Sequence, residues 1–189
     1  LAVDPKHALA HNNLGVALDA RADHKAAAEE FKKALAADPN YAEAHFNLGL
    51  SYFVLGQNLK ATREFEAALK LEPRASGPYI QLGTLYLQQG KKDRAVEAFK
   101  KAVEAVGEDR IKNTDAYRGL ALSYLAQGKA HEAIETLKTA VKMLPDDPST
   151  HAALAQAFLA QGDLDGAIDE LKRRLTLEPG AEAKLDLAR

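Results

Sequence analysis

His45-Phe46-Asn47-Leu48-Gly49 returns 34 residues later as Tyr79-Ile80-Gln81-Leu82-Gly83: a ring side chain, two variable places, then Leu-Gly. Outward from this pair the same spacing governs the whole chain. Pro5, Pro39 and Pro73 lie 34 apart, Gly107 takes the next such place, Pro145 follows after 38 and Pro179 after a further 34. A second ladder of Gly56, Gly90, Gly128 and Gly162 steps by 34, 38 and 34. Both ladders carry the same insertion of four residues, between Gly107 and Gly128. A period and an insertion shared by two independent residue series mark a repeat architecture.

Aligned on the ladders, the chain divides into five repeats, 8–41, 42–75, 76–109, 114–147 and 148–181, with 110–113 inserted. Residues 1–7 match 35–41 and read as the tail of a preceding repeat, and 182–189 read as a C-terminal helical tail. The chain begins with Leu1, so it is read as one repeat domain cut from a longer protein. Each repeat predicts two helices. In repeat two the first runs from Ala44 to about Leu55 and stops at Gly56; the second begins near Leu59 and ends before Pro73. Glycine after a last turn supplies the left-handed cap, and proline beyond it blocks continuation.

Small residues recur at fixed places: Gly15, Gly49, Gly83, Ala121 and Ala155 in first helices, Ala27, Ala61, Ala95, Ala133 and Ala167 in second helices. Between them stand large ones: Leu14, Leu48, Leu82, Leu120 and Leu154, then Phe31, Phe65, Phe99, Leu137 and Leu171. The three-or-four-residue spacing is that of amphipathic helices, and the small places let backbones approach closely. A helix–turn–helix of this length with a ring, Leu-Gly, Tyr, then Ala, Phe, Ala and Pro resembles the tetratricopeptide repeat. The resemblance covers 8–181 and implies an all-α, right-handed α-solenoid of stacked antiparallel hairpins. It departs from the family at the first ring place, which holds His11, His45, Tyr79, Tyr117 and His151, never Trp, and at Arg174, which stands where Ala belongs.

Composition narrows the function. The 189 residues carry a formal net charge of -2, so the basic excess of a nucleic-acid binder is missing. No apolar run reaches the ~18 residues of a membrane span. With no cysteine there is no disulfide framework and no thiolate metal site, and cytoplasm and periplasm both remain open. His11, His45 and His151 occupy the ring place, where packing accounts for them better than metal ligation. The glycines stop helices or admit neighbours and form no phosphate loop. No catalytic, metal or cofactor residues are assigned, and the reading is of a non-enzyme.

The resemblance implies a scaffold that binds a protein or peptide along first-helix groove places. These are Asn12, Asn13, Val16 and Asp19 in repeat one, and Glu43, Phe46, Asn47, Leu50, Phe53 and Val54 in repeat two. Repeat three gives Ile80, Gln81, Thr84, Leu87 and Gln88; repeats four and five give Asp115, Arg118, Leu122, Leu125, Ser149, Ala152, Gln156 and Leu159. Asn13, Asn47 and Gln81 share one place and are expected to form an amide ladder able to donate to and accept from a peptide backbone. Such a ladder resembles those in O-linked glycosyltransferase repeat domains, which implies a substrate-recruiting arm as an alternative; the competing reading is that these amides touch only water. Gly119 and Ala153 interrupt it. At the places where related domains clamp chaperone carboxylates with cations, this chain has Asn12, Val16, Asn47, Gly77 and Gln81. A third alternative is a structural subunit of an envelope or filament assembly, joined to other subunits through apolar surface at the ends. The insertion, about one helical turn or ~6 Å, is expected to lengthen a flanking helix or its loop and to divide the groove after repeat three.

Overall fold

The computed structural model describes residues 5–105 and 110–178. Ten helices are seen among the described residues: α1 (Pro5–Ala20) pairs with α2 (His24–Ala37), α3 (Ala42–Val54) with α4 (Asn58–Leu71), α7 (Arg110–Ala126) with α8 (Ala130–Met143) and α9 (Pro148–Gln161) with α10 (Leu164–Leu177), while α5 (Ser76–Gln88) and α6 (Lys92–Glu104) follow α4 in the chain. The boundaries expected in repeat two hold to within two residues. Residues 1–4 of the expected N-terminal tail, the expected C-terminal tail and residues 106–109 lie outside the described residues, whereas Pro5 to His7 open α1 instead of closing a preceding repeat.

The turns explain where helices stop. Gly162, at φ 87°, donates its N–H to the Phe158 and Leu159 carbonyls, the left-handed cap that glycine adopts without strain. Gly56, Gly90 and Gly128 repeat that positive φ. Repeat one lacks the glycine: Ala22 takes its place at φ 61°. Beyond two of these turns Asp23 and Asp163 cap the next helix, accepting the N–H of Ala26 and Gly166. The four inserted residues fall at the beginning of α7, which runs 17 residues where α3 and α5 run 13, so the insertion lengthens a helix.

The chain forms two compact units, Leu1–Leu85 and Tyr86–Arg189. In the first, α1 packs on α2, α2 on α3 and α3 on α4, and α1 also touches α3. Phe31 and Phe65 are fully buried among Ala27, Ala34, Ala61 and Ala68. Their rings fill the space above Gly15 and Gly49: a Cβ on Gly49 would lie 2.5 Å from the Phe65 ring. In the second unit α6 to α10 pack consecutively and α7 touches α9. Ala121, Ile134, Leu137, Leu154 and Ala157 form its core, with Tyr124, Leu125 and Phe158 against it. Two expected core residues are half exposed: Leu14 at 49% and Leu171 at 40%. In the other repeats a neighbouring hairpin covers these places, whereas α1 and α10 are the first and last helices described.

Candidate partner-binding face

Charge separates the two kinds of helix. The second helices α2 and α4 carry five Asp, Glu, Lys or Arg residues each, α6 seven, α8 four and α10 six. Among first helices, α3 carries only Glu43, and α5 and α9 carry none. Helix α1 carries Lys6 and Asp19, and α7 carries four charges, all before Gly119. Apolar side chains nevertheless stand in water there: Val16 is 46% exposed, Val54 58%, Leu122 45% and Leu159 51%. Leu50, Phe53, Leu87 and Leu125 are half-buried, Asn13 and Gln156 exposed. Leu50, Phe53 and Val54 follow at helical spacing and share one face of α3.

One place departs from expectation in the same way three times. Asn12 is fully buried and lines no groove. Its Nδ2 donates to the Tyr41 hydroxyl and to Glu43 Oε1, both at 3.3 Å, and its Oδ1 accepts from Asn47 Nδ2 at 3.1 Å. Burial, and then Glu43 beside it, pushes the Tyr41 phenol up, so it remains a hydrogen donor to Glu43. Phe46 at the equivalent place packs its ring 5.8 Å from the Phe65 ring and against Gly77, where a Cβ would lie 3.1 Å away. Arg118, again equivalent, bridges Asp115 to Asp147 and donates to Thr150 Oγ1 at 3.4 Å. Burial pushes the Asp147 carboxyl up, but the Thr150 hydroxyl, Arg118 and two backbone amides outweigh it and hold the group below its usual range. Amide, ring and guanidinium thus do one job: each reaches the hairpin that follows. Asn12 and Arg118 are junction residues, and Phe46 is largely one.

The amide ladder changes accordingly. Asn47 commits its donor to Asn12, Asn13 is exposed and Gln81 half-buried. Thr84 turns its hydroxyl back to the Ile80 carbonyl at 2.9 Å, and Ile80 is half-buried. Asp19 is likewise engaged, accepting from the fully buried Ser51 hydroxyl at 2.9 Å and paired with His24 at 2.8 Å. Gly119 has a steric reason to be glycine, since a Cβ there would collide with the Phe99 ring.

The ring-place histidines do more than pack. His11, His45 and His151 each turn Nδ1 to a glutamate 19 residues on: Glu30 at 2.7 Å, Glu64 at 2.7 Å and Glu170 at 2.6 Å. Each pair joins the two helices of one hairpin. Lys33 and His11 hold Glu30 below the usual carboxylate range. Repeats three and four, with Tyr at the ring place, have Ala98 and Thr136 where the glutamate would be. The signal was legible as a paired substitution, which reading each column alone missed. Among the described residues no three His, Cys, Asp or Glu side chains converge on a metal site. No described helix is long and apolar enough to cross a membrane.

Paired helices in a constant frame, with small residues at the crossings, define a helical-hairpin repeat protein. Family models described as tetratricopeptide repeat match residues 46–110, 79–146 and 124–189, and one described as TPR repeat matches 21–56. The chain is built of tetratricopeptide repeats. No curated protein matches it in sequence. Among solved structures, MamA is 24% identical with a TM-score of 0.76, over 94% of this chain and 95% of that one. Pseudomonas aeruginosa PilF is 20% identical with a TM-score of 0.79, over 90% and 76%. A thermophilic TPR protein in Thermus thermophilus is 24% identical with a TM-score of 0.72, over 96% and 97%. These likenesses establish the all-helical fold, which is of the protein-interaction scaffold type.

Proposed function

We propose that the chain is a non-catalytic scaffold that holds a partner protein's peptide or helical segment against its first-helix face. The observation that carries this reading is the charge segregation: Val16, Leu50, Phe53 and Val54 in one unit, and Leu122, Leu125 and Leu159 in the other, stand on helices, or halves of helices, with little charge. Partly exposed apolar groups in such a setting favour a partner that buries them. The matching segment is apolar on one side, helical or extended, with its own polar groups met by amides such as Asn13, Gln81 and Gln156. A carboxylate-ended ligand fits poorly, because Arg118, the cation at the groove places, is already paired with two aspartates.

The reading is tested by selecting peptides from a displayed library and mapping them with methyl NMR. Selected sequences are expected to carry apolar residues at three- or four-residue spacing and to shift the Val16, Leu50 and Val54 methyls. Peptides that are acidic, or that shift only second-helix signals, would contradict it. A second reading has one observation in its favour. Leu14 and Leu171 expose surface that the other repeats bury, so assembly through the end hairpins is the alternative, and light scattering across a concentration series separates the two.

A further inference from the structure

The ring of His45 sits between two acceptors. Its Nδ1 lies 2.7 Å from Glu64 Oε2 on α4, and its Nε2 lies 3.1 Å from the Pro39 carbonyl in the turn between α2 and α3. A neutral imidazole carries one N–H and can satisfy only one of them, whereas the imidazolium donates to both. The side chain is 17% exposed, so water replaces a lost donor only in part. Asp38 precedes Pro39 in the turn and accepts the Asn40 N–H, and Glu43 stands two residues before His45 on α3 and accepts from Asn12 and Tyr41. We infer that His45 is a proton-operated clasp: as imidazolium it ties the first turns of α3 to both α4 and the preceding hairpin's exit, and on losing its proton it lets one tie go.

The Glu64 hydrogen bond is the largest influence on the ring and raises its pKa above the ordinary histidine value of 6.5; burial opposes this, and the Pro39 carbonyl assists. A raised folded-state pKa adds stability that is fully present below the unfolded value and is lost as pH rises through the folded one. The clasp therefore holds below the ordinary histidine value and releases as pH rises through a midpoint above it. Asn47, Leu50 and Phe53 lie on the same helix, so the release would act on the proposed binding face; the clasp itself does not depend on that reading.

The experiment is a histidine NMR titration of the whole chain, wild type and Glu64→Gln, with amide hydrogen exchange across α3 corrected for intrinsic rates. The wild-type His45 midpoint should lie above that of a histidine in an unstructured peptide and should fall in Glu64→Gln, which keeps an acceptor but removes the charge. Protection of the first turns of α3 should drop as His45 deprotonates, and His45→Gln should remove that pH dependence while the circular dichroism spectrum is retained. A midpoint at or below the peptide value overturns the clasp. So does protection that stays level through the titration.

Discussion

First and second helices of this molecule are cut from the same 34-residue pattern and bury comparable faces, yet their outer surfaces differ in kind. The second helices face water with lysines and glutamates paired one turn apart, such as Lys32 with Glu29 and Lys138 with Glu135. Such exposed pairs contribute a few tenths of a kcal/mol each and mainly keep the surface wetted. The first helices largely lack this cover. Solubility alone would favour charge on both surfaces, which is why the sparsely charged one is the surface proposed for partner binding.

The largest contrast is between two phenylalanines. Phe65 fills the space over Gly49, and Phe65→Ala should cost about 3–5 kcal/mol in denaturant unfolding. Phe53, half-buried on the first-helix face, should cost far less when replaced by Ala. Equal losses at the two positions would mean that Phe53 belongs to the core and not to a binding surface.

Next comes a pair of neighbouring asparagines. Asn12→Ala deletes a fully buried amide together with its hydrogen bonds to the Tyr41, Glu43 and Asn47 side chains, and losing such a buried junction should cost about 1–3 kcal/mol. Asn13→Ala, one residue on and exposed, should stay within about 0.5 kcal/mol. A reversed order in thermal unfolding would return Asn12 to the groove. The last effect is a gain. Ala22 holds the left-handed conformation that glycine holds in the other turns, so Ala22→Gly should stabilise by about 1 kcal/mol. No gain would mean that the first turn relaxes at no cost.

The all-helical repeat class was legible in the sequence, because glycine and proline leave positional marks that helix packing cannot blur. Even the insertion was visible, and only its resolution into an added turn of α7 required coordinates. The face was legible in part. The register gives the direction in which a side chain leaves its helix, and Val16 and Leu122 are exposed while Leu50 is half-buried. It does not give how far the chain reaches or what waits there. Asn12 and Arg118 leave in the groove's direction but meet Tyr41 and Asp147, each 29 residues on, in the hairpin that follows. The His–Glu pairs were missed for a related reason: the two residues stand in different columns of the repeat, and their pairing appears only when the columns are read together.

The central claim is that partners bind the sparsely charged face. It is tested most directly by measuring one selected peptide, in the same titration, against Val54→Asp on α3 and Leu59→Asp on α4. Leu59 is the fair control, being an exposed apolar residue at 81% on a second helix. The account predicts at least a tenfold loss of affinity for Val54→Asp and none for Leu59→Asp, with both variants folded. Unchanged affinity at Val54, or an equal loss at Leu59, would contradict it.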